Sequence, residues 1–191
     1  MPRHRTPLTE AAARLSRQFP GHRVEILHGR LTATPPADGR HARTLTRLTV
    51  ALHEAGAERA GLETLQRIGI RLPTGEDDYA IPDLSLVEAD SLDHKPGTNC
   101  YEPDTFRLIV EITSPDWSDR SDAIDIKVDA YARADVPAYV IADRHHDEVV
   151  IHTDPRTTGY HSRRTFKRGT TVALPDCLGM AVALPADMLL D

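Results

Sequence analysis

A glutamate stands inside an apolar run: Leu108-Ile109-Val110-Glu111-Ile112, in the stretch FRLIVEITSPDW over 106–117. The run is short and β-branched, bounded by Asp104 before it and by Ser114-Pro115 after it, which predicts an interior strand. Strand alternation sends Glu111 to the face opposite Leu108, Val110 and Ile112. A lone buried carboxylate is costly, so the fold has to bring something to Glu111 that compensates its charge. Two more acids break apolar pattern in the same way: Glu25 in VEIL and Asp83 in IPDLSL. Carboxylates gathered on adjacent strands repel unless a divalent cation sits among them, and Mg²⁺, which accepts one or two carboxylates and keeps waters, is the natural tenant. On this reading Glu111 is a metal ligand.

The rest of the chain supplies a scaffold for such a site. Leu8, Ala12, Leu15 and Phe19 have helical spacing over 7–19, with Thr6 as the cap and Pro20-Gly21 as the stop. HRVEILHGRLTAT reads as a hairpin turning at His28-Gly29. Ala42, Leu45, Leu48 and Leu52 predict a helix from Asp38 to Ala55, closed by Gly56. ETLQRIGIRLP and YAIPDLSLVEAD follow as strands around the turn residues Pro73-Thr74-Gly75, and the polar stretch 89–105 is a surface loop. After the glutamate strand, Ile124, Val128 and Tyr131 predict a helix over 121–134, and AYVIAD a second buried strand. EVVIHT, SRRTFKR and TTVALP read as strands decorating the sheet edge. The order predicts an α/β (α+β) fold with a central mixed sheet flanked by helices, in one domain over 1–191.

Composition narrows the functions. With 40% apolar and 27% charged residues the chain is neither disordered nor a disulfide scaffold, and Cys100 and Cys177 lack CxxC spacing. No stretch approaches a membrane span, so a cytoplasmic protein with no membrane partner is expected. The net charge of −6 conceals a gradient: residues 73–148 carry 6 Lys+Arg against 19 Asp+Glu, whereas residues 1–72 carry 12 against 6. Arg40, Arg43 and Arg47, with Arg163, Arg164, Lys167 and Arg168, flank this acidic centre, an arrangement suited to phosphate beside a metal pocket. In a chain with 20 Arg and 3 Lys, Lys127 is an exception whose compact ammonium suits orienting water or stabilising phosphorane charge.

VEILHG, IPDLSLV, LIVEITSP and KVDAYARADVPAYVIAD, taken in order, resemble the successive blocks of the Uma-two family of restriction endonuclease-like proteins, a branch of the PD-(D/E)XK nucleases. The resemblance covers most of 9 to about 180. It implies a restriction-endonuclease-like fold in which Asp83 and Glu111 hold Mg²⁺ or Mn²⁺, Lys127 positions the nucleophile and Glu25 is a supporting acid near the metal. The reaction implied is hydrolysis of a DNA phosphodiester bond. Two departures stand out. Thr113 occupies the place of the superfamily's usual lysine, which Lys127 replaces from the following helix, and Ala123 stands where relatives often carry an aspartate, with Asp122 and Asp125 beside it.

Other chemistries find less support. The ten histidines form no HExxH or Cys/His ligand spacing, and His145-His146 read as strand neighbours facing opposite ways. Ser114 has no nucleophile elbow, and no phosphate-binding glycine loop is present. Tyr131 and Tyr139 read as packing under the sheet, and Trp117 as the aromatic best placed to touch substrate. Two further classes stay open: a non-catalytic DNA- or protein-binding module on the nuclease scaffold, and a nuclease for RNA or for single-stranded or branched DNA. Cutting both strands of a duplex is simplest with two symmetric sites, which makes a homodimer an expected assembly.

Overall fold

The computed structural model describes residues 7–93, 100–114 and 121–191. In chain order its elements are α1 (Leu8–Gln18), β1 (Arg23–Leu27), β2 (Arg30–Thr34), α2 (Gly39–Glu54), β3 (Leu62–Gln66), β4 (Gly69–Arg71), β5 (Tyr79–Ala80), β6 (Leu84–Glu88), β7 (Cys100–Tyr101), β8 (Phe106–Ile112), α3 (Ser121–Arg133), β9 (Ala138–Asp143), β10 (Glu148–Arg156), β11 (Gly159–Lys167), β12 (Thr171–Ala173), β13 (Ala183–Pro185) and α4 (Ala186–Leu190). They form a six-stranded sheet in the order β11-β10-β9-β8-β6-β3, a five-stranded sheet in the order β2-β1-β5-β4-β7, and the pair β12-β13. The large sheet is mixed: β8 and β9 run parallel, and its other neighbours run antiparallel. A parallel pair needs a long crossover, and the one joining β8 to β9 contains α3.

Alternation along β8 sets the two faces of this sheet. Leu108, Val110 and Ile112 join Leu45, Leu48 and Leu52 of α2 and Leu189 and Leu190 of α4 in one apolar cluster. Ile109 faces the other way, into a cluster with Tyr131 of α3 and with Leu27, Ile70 and Ala80 of the smaller sheet, and Phe106 joins it because the pairing with β6 shifts register between Leu86 and Val87 and interrupts the alternation. Glu111 shares the parity of Ile109, so its side chain points where α3 and the smaller sheet meet. Val24 and Ile26 of β1 pack under Ala12 of α1, with Leu8 and Leu15 against them.

Several expectations shift in detail. ETLQRIGIRLP and YAIPDLSLVEAD each divide between the two sheets: Arg67 turns the first at φ 57°, and Pro82, which lacks an amide donor, interrupts the second. β10 is interior to the large sheet, with Val149, Val150 and Ile151 all buried. Of the three strands expected at the edge only β11 is an edge of that sheet, and β12 belongs to its own pair. The buried stripe of α2 begins at Thr44, because Ala42 is exposed. His145 and His146 lie in the turn between β9 and β10, where Asp143 accepts from both backbone amides. Pro7 holds the N-cap position of α1, and Thr6 and Trp117 lie outside the described residues.

The hairpin that carries Glu25 closes as expected. Leu27 pairs with Arg30, and the two turn residues have positive φ, 50° at His28 and 68° at Gly29. Both central residues are left-handed, as the two-residue turn that matches strand twist requires. The Gly29 amide donates to Asp78 Oδ1 at 3.0 Å, fastening the turn to the loop before β5. A Cβ at Gly29 would meet no atom within 4 Å, so Gly29→Ala carries only the conformational cost of a left-handed alanine. Urea denaturation should show a loss of about 1 kcal/mol.

Candidate active site

Three strands and two helices deliver the site. Leu84 of β6 pairs with Val110 of β8, so Asp83, one step earlier, stands opposite Glu111, one step later. The Ile112 amide donates to Asp83 Oδ2 at 2.8 Å and locks that register. Just upstream, where Pro82 breaks the strand, the backbone groups of Ile81 are satisfied by side chains of β1. The Ile81 amide donates to Glu25 Oε1 at 2.7 Å, and its carbonyl accepts from Arg23 Nη1 at 3.1 Å. Strand alternation puts Arg23 and Glu25 on one face of β1.

Lys127 of α3 binds the three elements together. Its Nζ donates to Glu111 Oε1 at 2.6 Å and to Glu25 Oε1 at 2.9 Å. One turn further on, the Tyr131 hydroxyl donates to Glu111 Oε1 at 3.2 Å. On the opposite edge of the same carboxylate, Arg23 Nη1 donates to Glu111 Oε2 at 3.1 Å and to Asp83 Oδ1 at 2.8 Å. His41 Nε2, from the first turn of α2, stands 3.3 Å from Asp83 Oδ1. The structure thus gathers Glu25, Asp83, Glu111 and Lys127 in one cluster, each no more than 7% exposed.

The cluster holds three carboxylates, a lysine and an arginine, and its members respond differently. Burial raises the Glu111 carboxyl above its ordinary value of 4.5, and the charges of Lys127 and Arg23 do not fully offset this. Burial acts on Asp83 in the same direction, but the His41 contact, the Arg23 charge and the Ile112 amide outweigh it and hold Asp83 down to about 2. Burial of Arg23 opposes its charge, yet Glu111, Glu25 and Asp83 raise its pKa further. The Tyr131 hydroxyl is pushed well up by burial and by the Glu111 carboxylate, so it remains a donor.

Thr113, two residues after Glu111, is turned away: its hydroxyl donates to the Ala142 carbonyl at 3.3 Å and accepts the Arg144 amide at 2.9 Å. Asp125 is exposed, and among the described side chains α3 contributes Lys127 and Tyr131 to the site and no acid. Three participants are not among the site residues expected from the sequence, which assigned Tyr131 to packing alone. Arg23 lies two residues before Glu25 on the same strand face, and Tyr131 lies four after Lys127 on the same helical face; both spacings are visible signals. His41 carries no such signal, because it reaches the site through the placement of α2.

No group of three or more His, Cys, Asp and Glu side chains able to hold a metal occurs among the described residues. The candidate ligands are the carboxylate pair Asp83 and Glu111, which stand opposite each other beside the paired β6 and β8. Their facing oxygens, Oδ1 and Oε2, already share one positive group, and an all-oxygen pair suits Mg²⁺ or Mn²⁺. The residues fit the ion.

A crystal structure from Anabaena variabilis ATCC 29413, described as "a putative nuclease belonging to DUF820", is similar with a TM-score of 0.68 at 14% identity, covering 87% of this chain and 89% of that one. The fold is thus the mixed α/β fold of a restriction-endonuclease-like nuclease. The Uma2 profile, described as "Putative restriction endonuclease", matches residues 10–187, and the chain belongs to that family. No curated protein matches the sequence. Among the described residues no helix is long and apolar enough to cross a membrane.

Proposed function

We propose that the chain is a metal-dependent endonuclease that hydrolyses DNA phosphodiester bonds, with Asp83 and Glu111 as metal ligands and Lys127 and Glu25 completing the catalytic set. The observation that carries this reading is the convergence of Glu25 and Glu111, from separate strands, on a buried lysine delivered by the crossover helix, with Asp83 joined to Glu111 through Arg23. The chemistry a divalent ion supplies when bound there is Lewis-acid stabilisation of the phosphoryl oxygen and activation of water. Lys127 and Tyr131 fix the Oε1 edge of Glu111, which leaves Oε2 facing Asp83. Glu25 Oε1 is occupied by Lys127 and the Ile81 amide, so Oε2 is the oxygen left to orient a water for attack. Lys127, between the two glutamates, supplies positive charge beside that water.

The rim supports a phosphate-bearing substrate on one side. Arg40 and Arg43 are exposed in the first turns of α2, the same turns that send His41 to Asp83. Of the C-terminal cations, Arg163 and Lys167 pair with Glu148, Arg168 pairs with Asp147, Asp187 and Asp191, and Arg164 lies over the Phe166 ring. Replacing both Arg40 and Arg43 with alanine should weaken DNA binding for all sequences alike. The slope of log K against log salt should shrink by roughly 1 to 2, about 0.9 for each phosphate that is no longer neutralised, as fluorescence anisotropy across a salt series reads.

The direct test is incubation of supercoiled, linear and single-stranded DNA, and of RNA, with Mg²⁺, Mn²⁺ or EDTA. Nicking or linearisation that EDTA abolishes is the expected result, and the preferred substrate assigns the nucleic acid. No cleavage of any substrate, with no metal bound in calorimetry, would leave a binding module on a nuclease scaffold. Sedimentation of the active species decides whether two copies act together on a duplex.

A further inference from the structure

Arg23 sits where the proposed metal belongs. Its Nη1 is hydrogen-bonded to both Asp83 Oδ1 and Glu111 Oε2, and so fills the notch between the two oxygens that face each other. Two cations cannot share that notch. Lys127 does not compete in this way, because it holds the other oxygen of Glu111, Oε1, together with Glu25.

The seat is also an imperfect one for a guanidinium. An arginine committed to a carboxylate usually engages it through two nitrogens of its planar fork. Here Nη1 alone takes Asp83, Glu111 and the Ile81 carbonyl, while Nε is buried without a hydrogen-bond partner and lies 3.8 Å from Glu25 Oε2. The Arg23 side chain is 15% exposed against 8% for Lys127.

We infer that Arg23 is an internal counter-cation that metal must displace: it neutralises Asp83 and Glu111 in the metal-free protein and thereby sets the metal affinity of the site. The inference rests on the assignment of Asp83 and Glu111 as metal ligands. Arg23 is on this account a positioning residue for the carboxylate pair. Its removal weakens the metal-free fold and strengthens metal binding, two effects of opposite sign that a purely structural arginine does not produce.

The test is calorimetric titration of Mn²⁺ and Mg²⁺ into wild type, Arg23→Met, Arg23→Lys and Asp83→Asn, with thermal melts in EDTA and in metal. The expected result is that Arg23→Met melts lower than wild type in EDTA yet binds Mn²⁺ about tenfold or more tightly. Arg23→Lys should fall between the two, and Asp83→Asn should not bind. Should Arg23→Met not fold, wild-type protein with ¹⁵N-labelled arginine keeps the question open to measurement. The protected Arg23 side-chain resonance should shift and lose protection as Mg²⁺ is added. Metal binding that depends on Asp83 but is equal in wild type and Arg23→Met, or an unmoved Arg23 resonance at saturation, overturns the inference and leaves the metal site standing. Absence of binding in wild type and Arg23→Met alike overturns both.

Discussion

Glu111→Gln should abolish metal-dependent cleavage and leave a protein as stable as wild type, or more so, at neutral pH. The loss of cleavage should exceed about 100-fold, roughly the most that losing a group that only supports a ligand produces. The stability result follows from charge. Glu25, Asp83 and Glu111 are three carboxylates facing Arg23 and Lys127, and Glu111 is the one that burial drives toward its neutral form. A carboxyl whose native pKa is raised adds stability at pH values below its unfolded value, near 4.5, and that stability is lost as pH rises through the raised native value. A glutamine removes this loss, so the difference between variant and wild type should grow in the variant's favour above pH 4.5.

Asp83→Asn should abolish cleavage equally but with the opposite signature in stability. Asp83 is held at about 2 against an ordinary 3.8, so its ionised form stabilises the fold above pH 3.8 and the contribution is lost as pH falls through 2. That depression corresponds to about 2 kcal/mol at pH 7. Urea denaturation of both variants between pH 3 and 8 separates the two carboxylates. Parallel curves for wild type and Glu111→Gln across that range would contradict the assigned charge balance.

The catalytic candidates were legible because each breaks a local rule. An acid in a β-branched run is conspicuous, and Glu25, Asp83 and Glu111 do meet. Strand parity correctly turned Glu111 away from Leu108, Val110 and Ile112. What escaped was everything set by the joining of the two sheets. β4, β5 and β7 have two or three residues each, too few to show a period, so the crossing of the chain at Arg67 and at Pro82 left no pattern to read. Arg23 was readable through its spacing from Glu25, but an arginine next to an exposed turn sequence invites a solvent assignment. Its carboxylate partners come from residues 83 and 111, far along the chain. The surroundings of the C-terminal cations were equally hidden: the folded chain gives Arg163, Lys167 and Arg168 the acidic neighbours Glu148, Asp147, Asp187 and Asp191.

Lys127→Met should be the most destabilising single change in the site, by about 3–5 kcal/mol at pH 7. Glu25 Oε1 and Glu111 Oε1 both lie within hydrogen-bonding distance of Nζ, so without the ammonium two carboxylates crowd each other with Arg23 on only one side. The cost comes less from the missing hydrogen bonds than from the buried negative charge left behind, and that distinction is measurable. Removing a second charge should restore stability: Lys127→Met with Glu25→Gln should unfold at higher urea than Lys127→Met alone, although each substitution deletes a hydrogen bond. Acid should help as well, because Glu111 is already raised by burial and takes up a proton most readily once its lysine is gone. The loss at pH 5 should therefore be smaller than at pH 7. Additive losses in the Lys127–Glu25 double-mutant cycle, or a Lys127→Met penalty below about 1 kcal/mol, would mean that the lysine packs at the site without neutralising it.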